Sequence, residues 1–192
     1  MNLRPNSLNV HYVTESHQTL MQRNFTFLDL LLVWKLMHNL FFGKFSNNHA
    51  SFNLSKDNKW ETPPDLFEFG CNLFNFRPEI DVCATAQDKK CELFIGEDSL
   101  NKEWNRDFWM NPPYGHQVKD WIKKAYFSHI KYNVSGLALL FAKVDTKIWH
   151  SCILHGQAEV YFIQGRIKFF KNGAESKNPA PYPSAFVFWR AK

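Results

Sequence analysis

Between residues 60 and 189 short apolar runs alternate with stretches of helical spacing, the pattern that builds an α/β sheet. Residues 79–84 read as a first strand, ending near Asp81, and 108–110 as a second. Residues 136–142 are apolar without a break, which predicts a strand buried on both faces. Val118, Trp121, Ile122, Ala125, Tyr126 and Ile130 recur at i, i+3, i+4 spacing and predict a helix. Residues 145–154 predict another, capped by Asp145. Strands at 159–163, 166–170 and 185–189 complete a mostly parallel sheet. The last two are expected to form a C-terminal antiparallel hairpin around the polar loop 171–183, where Pro179, Pro181 and Pro183 leave no room for a crossover helix.

Ahead of this region, residues 25–45 are nearly all apolar, interrupted by Asp29, Lys35 and His38. A membrane-spanning helix would have to bury that charge at several kcal/mol. As a signal peptide the run is too long, too interrupted and lacks a small-residue cleavage site. Leu30, Val33, Trp34, Met37, Leu40 and Phe41 fall on one helical stripe, which predicts a helix packed on the main domain or on a second copy. Residues 47–59, rich in Asn, Ser and Lys, read as a linker. The expected organisation is an N-terminal extension over 1–58 and a catalytic domain over 59–192.

Candidate chemistry concentrates in one loop. Asn111-Pro112-Pro113-Tyr114 leaves the apolar run Phe108-Trp109-Met110 and precedes Gly115 and the helical pattern. The lone pair of an adenine or amide nitrogen is delocalised, so such an amine is a poor nucleophile. The Asn111 side-chain oxygen and the Pro112 carbonyl are two acceptors that can take its two hydrogens and favour a pyramidal nitrogen. Acceptors so placed stabilise the transition state more than the ground state. Tyr114 offers a stacking face, which contributes roughly 1 to 3 kcal/mol for a base, and Pro112-Pro113 stiffen the loop in advance. In open sheets ligands collect at the carboxyl ends of the strands, near the reversal of strand order. Asp81, Asp98 and the Asn111 loop are expected along that edge, with Asp81 facing polar groups of a methyl donor and Asp98 touching its adenine amine; either aspartate can instead be a cap or a solvated loop residue.

The chain has 192 residues, 19 Phe, 7 Trp and a net charge of +5 with pI near 9.0. The aromatic loading is expected to pack the core, and the basic balance is compatible with a polyanionic partner. Cys71, Cys83, Cys91 and Cys152 form no Cys-x-x-Cys pair and no zinc spacing, and are expected reduced and buried. His150 and His155 flank Cys152 without a fourth ligand, so no metal is expected.

An ordered series of motifs resembles the phage-type Dam DNA N6-adenine methyltransferases: Trp60-Glu61-Thr62-Pro63, Asp81-Val82-Cys83-Ala84 with Cys91, Asp98-Ser99-Leu100 with Trp104, and Trp109 through Gly115. Trp121-Ile122-Lys123-Lys124-Ala125, Gly165-Arg166-Ile167-Lys168-Phe169 and Pro181-Tyr182-Pro183-Ser184-Ala185-Phe186 follow. The resemblance implies a trimmed Rossmann-like fold using S-adenosyl-L-methionine to methylate adenine in double-stranded DNA, encoded by a phage or prophage and acting in the bacterial cytoplasm. It implies Asn111, Pro112, Pro113 and Tyr114 as the catalytic loop, and Thr62, Pro63, Asp81, Ala84 and Asp98 around the donor. An adenine inside a duplex would have to be flipped out. Phosphate contacts to offset that are expected from Lys119, Lys123, Lys124, Lys143, Lys147, Arg166, Lys168 and Lys171. One departure is that Val82-Cys83-Ala84-Thr85-Ala86 contains no glycine, leaving Ala84 to permit close backbone approach. The short stretch from Ala84 to Phe108 trims the sheet and leaves the usual acidic residue for the donor ribose unassigned, with Glu92 and Glu97 as the candidates. Competing readings are transfer to a glutamine amide or RNA base amine, a non-catalytic DNA-binding relic, and a packing protein in which the loop is only a turn.

Overall fold

The computed structural model describes residues 60–192; the apolar run 25–45, the linker 47–59 and the border expected at 58 lie outside the described residues. A helix that the apolar periodicity above passed over comes first: α1, Pro64–Leu73. Pro64 stands at its first turn, where a missing N–H costs nothing. Phe67, Gly70 and Cys71 form its buried face, and Gly70 lies so close to the Phe186 ring that a Cβ there would meet it at 2.7 Å.

The strands are β1 (Ile80–Asp81), β2 (Leu93–Phe94), β3 (Phe108–Met110), β4 (Gly136–Phe141), β5 (Glu159–Phe162), β6 (Phe170–Lys171), β7 (Ala174–Glu175) and β8 (Ser184–Trp189). Helix α2 (Val118–Tyr132) connects β3 to β4, and α3 (Lys147–Trp149) runs into a π-helical turn at His150–Leu154 before β5. Six strands make one sheet in the order β2-β1-β3-β4-β8-β5. The first four run parallel, and β8 is antiparallel to both its neighbours.

Alternation along the strands divides the core between the two faces of this sheet. Phe108, Met110, Leu140, Val187 and Trp189 point to the side covered by α2 and α3, where Trp104, Trp121, Trp149 and Ile153 join them. Trp109, Leu137, Leu139, Phe186 and Phe188 point to the side covered by α1 through Phe67, Cys71 and Phe74. Burying each such large side chain fully contributes roughly 1.5–3 kcal/mol. Among the described residues five of six tryptophans and six of thirteen phenylalanines are buried, so the tryptophans are chiefly core while the phenylalanines divide between core and surface.

Three expectations change. Residues 166–170 do not pair with 185–189. All six residues of β8 are buried, so it needs cover on both faces and partners on both edges, and it inserts between β4 and β5 with Phe186 opposite both Leu139 and Tyr161. Residues 163–183 leave the sheet, and Asn172-Gly173, with φ of 54° and 76°, close a separate hairpin of β6 and β7, the conformation that an Asn-Gly pair favours. The first strand is shorter than 79–84, because its ladder stops once Val82 N–H has bonded to the Trp109 carbonyl and the Asp81 carboxylate turns the chain back. The helix after β4 is capped by Thr146, whose Oγ1 accepts from Trp149 N–H at 3.4 Å, while Asp145 is exposed.

Candidate active site

From β1 the chain moves to β2 on one side and to β3 on the other, so the strand order reverses between β1 and β3. That reversal leaves a crevice beyond the carboxyl ends of the two strands. A cleft lies there, lined by Asp81, Cys83, Ala84, Asp88 and Lys90 from the loop after β1, Trp109, Asn111, Pro112 and Pro113 from β3 and its loop, and Trp60, Glu61 and Thr62. Glu61 is held over the site by a bridge to Phe170, its N–H and carbonyl exchanging bonds at 2.9 Å.

Asn111 is pinned at both ends of its amide. Its Nδ2 donates to the Trp60 carbonyl at 2.8 Å, and its Oδ1 accepts from the Tyr114 hydroxyl at 3.1 Å. A carbonyl only accepts, so the Trp60 bond fixes which end of the amide is nitrogen. Oδ1 keeps its second lone pair. Tyr114 stacks on Phe141 with centroids 3.7 Å apart and planes at 15°, and its hydroxyl also lies 3.3 Å from the Leu139 carbonyl. Burial pushes the phenol well up, which keeps it a donor.

The glycine-free loop after β1 is organised by carboxylates. Asp81 is 3% exposed, and its two oxygens accept from Cys83 N–H and Lys90 N–H, each at 3.0 Å. Burial raises its pKa to about 6 against the opposing pull of those two bonds. Asp88 Oδ1 takes both the backbone N–H and the hydroxyl of Thr85. Cys83 is half-buried in the cleft, unlike the buried Cys71, Cys91 and Cys152, which corrects the expectation for all four. Its thiol is pushed well up by burial, with the Asp81 charge adding to it, so it stays protonated. Thr62 is 2% exposed and its Oγ1 has no hydrogen-bond partner.

The structure thus brings Thr62, Asp81, Ala84, Asn111, Pro112 and Pro113 together, with Tyr114 bonded to Asn111. Pro63 is outside the lining and precedes α1, its carbonyl accepting from Leu66 and Phe67. Asp98 is also outside it: exposed, left-handed at φ 62°, it opens the 3-10 turn Ser99–Asn101 and accepts from Asn101 Nδ2. Sequence reading missed Cys83, Asp88 and Lys90 as cleft residues and the Trp60 carbonyl as the brace of Asn111. Thr85-x-x-Asp88, a hydroxyl followed by a carboxylate, is the one local signal among them.

The basic residues separate by partner. Lys119 lies in the first turn of α2, Lys123 is half-buried one turn on, and exposed Lys147 opens α3. Lys143 is exposed with its ammonium 4.2 Å from the Tyr182 centroid. Arg166 is engaged with the Pro181 carbonyl, Lys168 with Glu175, Lys124 lies 5.8 Å over Trp104, and Lys171 lies 5.7 Å over Trp60. Among the described residues no group of three or more His, Cys, Asp or Glu could hold a metal ion, and no helix is long and apolar enough to cross a membrane.

A family model described as DNA N-6-adenine-methyltransferase (Dam) matches residues 50–192. The chain belongs to the Dam family. The match starts ahead of Trp60, where the motif series begins. A DNA N-6-adenine-methyltransferase of Haemophilus phage HP1 is 30% identical over 125 residues, covering 62% of this chain and 72% of that protein. Membership in the Dam family supports DNA adenine methylation as the activity class, and the parallel sheet with its cleft at the strand-order reversal fits a methyltransferase fold.

Proposed function

We propose that this Dam-family chain transfers a methyl group from S-adenosyl-L-methionine to the N6 amine of adenine in double-stranded DNA, with the target base flipped into the cleft. The observation that carries the reading is the double-pinned Asn111 amide at the strand-order reversal, its Oδ1 holding one lone pair in reserve. That lone pair accepts one hydrogen of the amine, and the Pro112 carbonyl accepts the other. The amine nitrogen is drawn toward pyramidal geometry as charge develops on it, which is where oriented acceptors act most strongly.

The donor-side chemistry fits the residues present. S-adenosyl-L-methionine supplies a methyl carbon activated by a sulfonium. The orphaned Thr62 hydroxyl is a buried group in want of a partner, at a cost of about 1–3 kcal/mol while it has none, and a donor polar group in the cleft would satisfy it. Ala84, buried at the turn after β1, leaves the backbone approachable in place of a glycine. Asp81 serves chiefly by holding that turn through Cys83 and Lys90. Tyr114 stacks on Phe141 and lies 5.8 Å from Phe169 outside the lining of the cleft, so in this arrangement it serves through its bond to Asn111. Extruding the base costs a few kcal/mol, offset by contacts of the basic residues with phosphate; Lys119, Lys143 and Lys147 are the exposed candidates near the carboxyl edge, and Arg166 and Lys168 are already engaged with the protein.

Incubation with tritiated S-adenosyl-L-methionine and unmethylated duplex DNA, followed by nucleoside analysis, is expected to yield labelled N6-methyladenine. Asn111→Ala is expected to remove nearly all transfer while leaving donor binding, read by calorimetry, mostly intact. Label in protein or RNA alone, or a wild-type rate in the variant, would falsify the reading.

A further inference from the structure

We propose that Tyr182 is a base-stacking contact for the DNA, carried on a rigid tip beside the catalytic loop; this rests on the adenine-methylation reading above. Two motifs that the transfer itself does not use, 165–169 and 181–186, come together to build the tip. Arg166 Nη1 donates to the Pro181 carbonyl at 2.6 Å, and Ala180 N–H donates to the Ile167 carbonyl at 2.7 Å. Pro181 and Pro183 flank Tyr182 and fix the backbone on either side of it. These bonds and prolines remove in advance part of the conformational freedom that a loop would lose on binding.

A stiff tip has no structural need to leave an aromatic ring in water, yet Tyr182 is 45% exposed. Beneath it the aromatic contacts are continuous. Its ring lies 5.5 Å from Phe141, Phe141 stacks on Tyr114, and the Tyr114 hydroxyl donates to Asn111. The exposed end of that column therefore stands one ring away from the pair that holds the reacting loop. Lys143 places its ammonium 4.2 Å from the Tyr182 centroid.

A cation on an exposed ring is a combination with a particular complement. A phosphate takes the ammonium, and the ring face it vacates accepts a flat π-system. DNA opened by extrusion of one nucleotide supplies both at once, because the departing base leaves a neighbour with an uncovered face. Stacking of this kind tolerates any base, so Tyr182 contributes affinity without reading sequence.

The test uses the full chain, duplex DNA and S-adenosyl-L-methionine. Tyr182→Ala is expected to raise KM for DNA about tenfold or more, with donor affinity and melting temperature unchanged. Tyr182→Phe and Tyr182→Trp, which keep a ring, are expected to stay near the wild-type KM. An unchanged KM in the alanine variant overturns the proposal, as does a rise that the aromatic replacements fail to rescue or a rise that tracks lost thermal stability. Failure of the wild type to methylate DNA at all sinks the underlying reading; normal methylation with an indifferent Tyr182→Ala sinks this inference alone.

Discussion

Asn111 works only if its amide plane is held, since rotation by half a turn would present hydrogens to an amine that needs acceptors. The Trp60 carbonyl holds one end and the Tyr114 hydroxyl the other. Removing the second restraint while keeping the ring is a direct test of its value. Tyr114→Phe gives up a neutral hydrogen bond worth about 1 kcal/mol, so kcat is expected to fall roughly fivefold with KM for DNA little changed. Steady-state kinetics at saturating donor read this, and an unaltered kcat would mean that the Trp60 bond suffices. The sequence made Asn111 and its neighbours legible because their chemistry is local: the donor and acceptor types are the same in any fold. It could not show the Trp60 carbonyl, since a backbone atom 51 positions away carries no side-chain signature.

At the scale of elements, unbroken apolar or helical patterns were legible wherever no other signal competed with them. Strands β4 and β8 and helix α2 carry six or more residues of unbroken pattern, and each lies where the periodicity placed it. Strand β1 lies inside the expected 79–84, whereas the two-residue strands β2, β6 and β7 are too short for a period to register, and the partner of β8 depended on contacts that no local pattern encodes. Helix α1 was missed although Leu66, Phe67, Gly70, Cys71 and Phe74 recur at helical spacing behind Pro63-Pro64; its signal sat beside a stronger one in the Thr62-Pro63 motif. Close packing between elements gives a further expectation. Gly136 faces Phe108 across the β3 to β4 register, and a Cβ at 136 would overlap the Phe108 ring. That ring is fully buried and has no room to retreat. Gly136→Ala is expected to destabilise the fold by about 1–3 kcal/mol, the usual cost of overpacking, seen as a lower midpoint in urea. A wild-type midpoint would show slack between these strands.

For the molecule as a whole, Asp81 ties stability to pH. Burial lifts its folded pKa to about 6 from an ordinary value of 3.8, so the folded state holds this proton more tightly than the unfolded chain does. The resulting stabilisation is complete below about pH 4 and is lost as pH rises through about 6. Wild type is therefore expected to lose unfolding free energy across that window relative to Asp81→Asn, which cannot titrate there. Urea melts of both proteins at several pH values between 4 and 7 check it; a constant difference between them would place the titration elsewhere. The same carboxylate shows why half of the site was opaque in sequence. Asp81 could be singled out as a polar residue at a strand end, but its two backbone partners, Cys83 and Lys90, are set by how the following loop folds back.

The insertion of β8 has a bearing on how the chain is made. Among the eight strands of the described residues it comes last in chain order, yet it fills the gap between β4 and β5. Until it arrives, β4 presents one bare edge and β5 has no sheet to join, both rich in apolar side chains. A chain lacking β8 would thus expose a sticky intermediate instead of a smaller finished fold, and a cell making this protein has reason to shield it until β8 has docked between β4 and β5.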